Sequence, residues 1–110
     1  MTVNEFLETY ELEDGTIILE PWEDFKGGII GITEDHTHVI YSFQGMVESL
    51  AHSYEKDYYE NNKDEKYDED KFSDFLQEAT EWVDYNVIRS LPYWNSNFRP
   101  IIMLETDINI

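Results

Sequence analysis

The sequence contains no cysteine. That excludes a disulfide framework, thiolate nucleophiles and cysteine-ligated zinc, and it fits a reducing compartment. Basic residues are scarce: seven Lys and Arg stand against 25 Asp and Glu, a formal charge of −18. A chain this anionic repels nucleic acid and anionic membrane, so direct binding to either is disfavoured. No apolar run approaches the roughly 18 residues that a membrane-spanning helix needs. Met1 to Glu5 has neither the basic region nor the apolar run of a secretion signal. A soluble, cytoplasmic protein is the expectation. The motifs G-x-S-x-G, H-E-x-x-H and the P-loop are missing too, and Gly27-Gly28 alone does not cradle a phosphate. The expectation is therefore a protein that is not an enzyme and carries no cofactor or metal. Any acidic chain supplies carboxylate pairs of the kind glycosidases use, and without a pocket they carry no weight.

What is present is aromatic and apolar. Eight Tyr, six Phe and three Trp argue against disorder of the whole chain. A length of 110 residues gives one domain, residues 1–110, around one core. The strongest periodicity lies in Phe72, Phe75, Leu76, Ala79, Trp82 and Val83, one apolar stripe of an α-helix. Pro92 forbids a helix beyond about Leu91. On the opposite side Asp74, Glu78 and Glu81 fall at i, i+4 and i+7, and Tyr85 continues the row.

Taken in order, Thr2 and Glu5 fit a capping box, which leaves a two-turn N-terminal helix and a frayed terminus as equal alternatives. Glu13-Asp14-Gly15 reads as a turn and Thr16 to Glu20 as a strand. Trp22 to Phe25 after Pro21 makes one helical turn, and Gly27-Gly28 breaks the chain. Ile29 to Thr33 and His38 to Tyr41 flank a loop of about four residues as a β-hairpin. Gly31 marks a bulge or a close backbone approach. Ser42 caps a helix whose apolar positions are Phe43, Met46, Val47, Leu50, Ala51 and Tyr54, with Glu48, His52 and Glu55 facing water. Residues 58–70 form an acidic connector, mobile in part, and Asp68 or Asp70 caps the next helix. Pro100 to Leu104 reads as a buried last strand, and Glu105 to Ile110 as a short, partly ordered tail. The predicted fold is α+β: a small, mainly antiparallel sheet with strands near 16–20, 28–33, 38–42 and 100–105. Two main helices near 43–57 and 70–85, the second followed by a short helical turn to about 91, pack on one face.

Three stretches carry a resemblance: Ile29 to Asp35, Val39-Ile40-Tyr41 leading to Met46-Val47-Glu48, and Glu81 to Tyr93 followed by Pro100 to Met103. Together they resemble a group of small proteins carried by bacteriophages and mobile elements of Gram-positive bacteria. The Tyr85-Asn86 to Leu91-Pro92-Tyr93 piece is the most specific part. The group has no settled activity, so the resemblance implies no catalytic residue. It implies a setting, the cytoplasm of a bacterial host, in which small acidic proteins resemble inhibitors of host defence of the anti-CRISPR or anti-restriction type.

Several features invite chemistry. His36 and His38 with Glu34 and Asp35 have metal-ligand spacing in a hairpin loop, against the simpler reading of a solvated loop. Asp64 to Asp70 is similar to a calcium loop but lacks the required glycine. Arg89 is expected to pair with Asp84, Tyr85 or a backbone carbonyl at the helix end. The acidic row is the leading binding candidate: Asp74, Glu78 and Glu81, joined by Glu65, Asp68, Glu69 and Asp70. Carboxylates spaced by helical turns can occupy Arg and Lys sites that expect phosphates. On that reading the partner is a basic nucleic-acid-binding protein, a CRISPR or restriction nuclease being the natural example. On the alternative reading the acids only solubilise an accessory or regulatory domain, and an aromatic patch of Trp22, Tyr93 and Trp94 makes the contact.

Overall fold

The computed structural model describes residues 1–106, so the end of the tail expected to be partly ordered lies outside the described residues. The fold is α+β, with a mixed three-stranded sheet. Helix α1 (Val3–Thr9) opens the chain, and the capping box is made in full. Glu5 N–H donates to Thr2 Oγ1 at 3.2 Å and Thr2 N–H to Glu5 Oε1 at 3.3 Å. The terminus is thus helical, and it is held by packing as well as by the cap. Buried Phe6 places its ring 5.3 Å from Trp22, and the Trp22 indole N–H donates to the Met1 carbonyl at 3.1 Å.

Helix α2 (Trp22–Phe25) is the single turn expected after Pro21. Gly27-Gly28 does not simply break the chain but forms a 3₁₀ turn, Lys26–Gly28, seated on the next helix. A Cβ on Gly28 would lie 2.8 Å from the Met46 backbone nitrogen, so only glycine allows this approach. Strand β1 (Ile29–Ile32) pairs antiparallel with β2 (Val39–Ser42), in register Ile29 to Tyr41, Gly31 to Ile40 and Ile32 to Val39. The slip between Ile29 and Gly31 is the bulge that Gly31 signalled; a Cβ there would meet nothing within 4 Å, so close approach is not its reason.

Ser42 caps helix α3 (Phe43–Asn61) by accepting the Gly45 N–H at 2.9 Å, and Met46, Val47, Leu50 and Ala51 are buried as the spacing predicts. The helix runs four residues beyond the expected end at 57, because Tyr58 continues the stripe one turn past Tyr54. The Tyr58 ring packs 5.7 Å from Phe75 and the Asn62 amide donates to the Tyr58 carbonyl at 2.8 Å. The connector is thus shorter than predicted. Helix α4 (Lys71–Asn86) buries Ala79 and Val83, with Val87 buried just beyond it, and packs against α3. Trp82 departs from the expected core stripe: it lies at the rim, 36% exposed, stacked on Phe25 at 5.6 Å. A 3₁₀ segment, Ile88–Tyr93, supplies the predicted short helical turn but runs through Pro92, past the stop expected near Leu91. Its turns are closed by the Ser90 N–H to the Val87 carbonyl and the Trp94 N–H to the Leu91 carbonyl, so no Pro92 donor is needed.

Strand β3 (Ile101–Met103) lies parallel to β2, Ile40 opposite Ile101 and Tyr41 opposite Ile102, so the sheet is mixed rather than mainly antiparallel. The reason is topological. Two helices separate β2 from β3, and that crossover returns the chain to the end where β2 began. Nor is β3 a buried strand: Ile101 and Met103 are exposed and only Ile102 faces inward, as befits a sheet edge.

The strand expected at 16–20 is not part of the sheet. Its Ile17 N–H donates to the Phe98 carbonyl at 3.1 Å, and its Leu19 N–H donates to the Tyr41 hydroxyl at 3.1 Å. One donor goes to a loop and one to a side chain, which leaves no ladder to propagate; Pro21 then removes a donor at the exit.

Candidate functional site

The outer face of α4 carries the predicted acidic row. Asp74, Glu78 and Glu81 are all exposed. A rise of 1.5 Å per residue separates the first two by about 6 Å and the outer pair by about 10 Å along the axis. No Lys, Arg or His among the described residues lies within ion-pairing distance of any of the three. The next acid along, Asp84, differs: Arg89 bonds it at 3.3 Å and lies 5.4 Å from the centre of the Tyr85 ring. Two of the three partners expected for Arg89, Asp84 and Tyr85, are met in one geometry.

Glu78, Glu81, Asp84 and Arg89 share a surface groove with Tyr54, Trp82 and Tyr85, about 470 Å³ in volume. The half-buried Tyr54 comes from α3, and its phenol is pushed up by burial, then by the charges of Glu78 and Asp24. Asp74 lies outside this groove, so the row divides into one carboxylate on open surface and two at the mouth of an aromatic cleft. This cleft was hidden in the sequence because Tyr54 and Trp82 sit on apolar stripes and read as core. The signal that could have exposed it is Tyr85, an aromatic on the acidic side of the helix.

The connector acids Glu65, Asp68, Glu69 and Asp70 are all exposed, and the loop that carries them is tied to α3 by tyrosines. Tyr59 hydroxyl accepts the Asp68 N–H at 3.0 Å, and Tyr67 packs its ring 5.6 Å from Tyr59. The Tyr67 phenol is pushed up chiefly by the charge of Glu55, with Glu69 contributing. Lys71 donates to the Tyr58 hydroxyl, which holds its ammonium pKa up, and pairs with Glu65 at 3.9 Å. Asp70 holds the N-cap position of α4, but neither it nor Asp68 caps the helix through its side chain, contrary to expectation. The Asp68 carboxylate is occupied instead by the Asp70 N–H, at 3.0 Å, in a tight turn ahead of the helix.

The aromatic trio occupies different surroundings. Trp22 is half-buried against α1, Trp94 is half-buried against the core, and Tyr93 alone is open, at 88% exposure. His36 and His38 each have an Nδ1 bonded to a backbone carbonyl, of Tyr10 at 2.7 Å and of Arg99 at 2.8 Å. They fasten the hairpin to the end of α1 and to the approach to β3. Asp35 in the same loop accepts from the hydroxyls of Thr33 and Thr37, which hold its carboxyl down to about 2. Among the described residues no three His, Asp or Glu side chains converge as metal ligands, and no helix is long and apolar enough to cross a membrane.

No family model matches the chain, and no curated protein or solved structure matches it significantly.

Proposed function

We propose that the chain is a non-enzymatic acidic binding protein that docks on a basic, nucleic-acid-handling protein and blocks its nucleic-acid channel. The resemblance to phage and mobile-element proteins makes a host-defence nuclease in a bacterial cytoplasm, of the CRISPR or restriction type, the natural target. One observation carries the reading: Asp74, Glu78 and Glu81 form a row of exposed carboxylates on one helix, with no cation paired to them among the described residues. Each stays available for a charge-assisted bond to an Arg or Lys that otherwise grips a phosphate. Glu69 and Asp70 extend the same negative field, whereas Glu65 is partly met by Lys71. The test is capture from a bacterial lysate at low and high salt, comparing the wild type with the triple variant Asp74→Asn, Glu78→Gln, Glu81→Gln. The reading requires a nucleic-acid-binding protein that is retained by the wild type, released by salt and missed by the variant. Equal retention by both chains contradicts it.

A second reading has its own observation, the nearly full exposure of Tyr93 on the 3₁₀ segment that Trp94 anchors to the core. There the acids serve as a solubilising coat of an accessory domain and Tyr93 makes the contact. Tyr93→Ala separates the two readings, because it touches the second surface and leaves the acidic row intact.

A further inference from the structure

The groove on α4 already holds one guanidinium. At one end Arg89 lies against the Tyr85 ring, 5.4 Å from its centre, and 3.3 Å from the Asp84 carboxylate. The remainder of the groove repeats that combination with no second cation among the described residues: Trp82 and Tyr54 offer aromatic side chains, and Glu78 and Glu81 offer carboxylates. Three carboxylates and one arginine line the cleft, so its charge is unbalanced toward a further cation. A volume of about 470 Å³ leaves space for a side chain.

We infer that the part of the groove not filled by Arg89 seats an arginine side chain of the partner, its guanidinium stacked on Trp82 and bonded to Glu78 or Glu81. The inference rests on the proposed binding to a basic protein and says which residue that protein presents. Arginine is favoured over lysine on physical grounds. A guanidinium is planar, weakly hydrated and able to stack on a ring while it bonds a carboxylate in two places. An ammonium keeps its water and meets the carboxylate as a point charge. Trp82 is suited to the role because it is anchored by stacking on Phe25, at 5.6 Å, while 36% of it stays exposed at the groove.

The experiment titrates the full chain into labelled oligo-arginine and oligo-lysine peptides of equal length, with the wild type and with Trp82→Leu and Glu81→Gln. The wild type is expected to bind the arginine peptide about fivefold tighter, the effect of one cation–π contact. Trp82→Leu should equalise the two peptides, and Glu81→Gln should weaken the arginine peptide more than the lysine one. Because Trp82→Leu also touches Phe25, indole N–H shifts of the wild type provide a second readout: Trp82 should move with the arginine peptide while Trp22 and Trp94 stay in place. Equal affinity for both peptides, or an unmoved Trp82 indole, overturns the arginine seat and leaves the basic-partner reading standing. Failure of both peptides to bind overturns the two together.

Discussion

The buried hydroxyl of Tyr41, in the middle of the sheet, accepts the backbone N–H of Leu19 at 3.1 Å. With the Ile17 N–H bond to Phe98 and the burial of Leu19, this bond fixes the segment between α1 and α2 without any strand ladder. Tyr41→Phe keeps the ring but leaves the Leu19 N–H buried without a partner. A loss of about 1–3 kcal/mol is expected, measured as a shift of the denaturant midpoint at unchanged slope.

The same residue makes stability depend on alkaline pH. Burial pushes the Tyr41 phenol from 10.0 up to about 12. A folded pKa above the unfolded one stabilises fully below the unfolded value and is lost as pH rises through the folded one. Stability should therefore fall between about pH 10 and 12, by about 2–3 kcal/mol, in urea melts across that range. Tyr41→Phe should remove most of that slope.

Asp35 predicts the mirror case in acid. Hydrogen bonds from Thr33 and Thr37 lower its pKa from 3.8 to about 2, so the loop's order is complete above the first value and lost as pH falls through the second. Amide spectra of Thr33 to Thr37 should change in that window, and Asp35→Asn should make them insensitive to it.

Two glycines of the hairpin region should behave oppositely. A Cβ at Gly28 collides with the Met46 backbone, so Gly28→Ala should cost about 1–3 kcal/mol, whereas Gly31→Ala enters open space and should change stability by less than about 0.5 kcal/mol. Thermal melts of the two variants decide the point.

These relationships show what the sequence could and could not disclose. The stripe of α3, that of α4 apart from Trp82, and the Ser42 cap were legible because each follows from local spacing, while the Thr2–Glu5 box left a frayed terminus as an equal alternative. Thr16 to Glu20 was misread because a β-branched run looks the same whether its donors meet a strand or, as here, Phe98 and Tyr41, both far away in sequence. The parallel pairing of β3 likewise depends on how α3 and α4 turn the chain back, which no local pattern records. At the candidate site the exposed carboxylates of α4 were legible as a row. Their division was not: it takes Tyr54, from another helix, to turn Glu78 and Glu81 into the wall of a cleft. The separate settings of Trp22 and Trp94 were equally invisible, since composition does not show what a half-buried indole leans on.

Tyr93→Ala should leave stability within about 0.5 kcal/mol of the wild type, since the side chain is 88% exposed. Trp94→Ala is the poorer test, because Trp94 packs on the core and its loss mixes unfolding with binding. Partner capture by Tyr93→Ala at wild-type level is the expected result; its loss would favour the aromatic surface.

The most direct test of the account is competition. A nucleic-acid-binding protein captured by this chain is loaded with a labelled DNA duplex, and the chain is titrated in while release of the duplex is followed by anisotropy. Displacement by the wild type, weakening with added salt and absent for the Asp74→Asn, Glu78→Gln, Glu81→Gln variant, is the predicted result. A ternary complex that keeps the duplex bound, or displacement by the variant at wild-type strength, would contradict it.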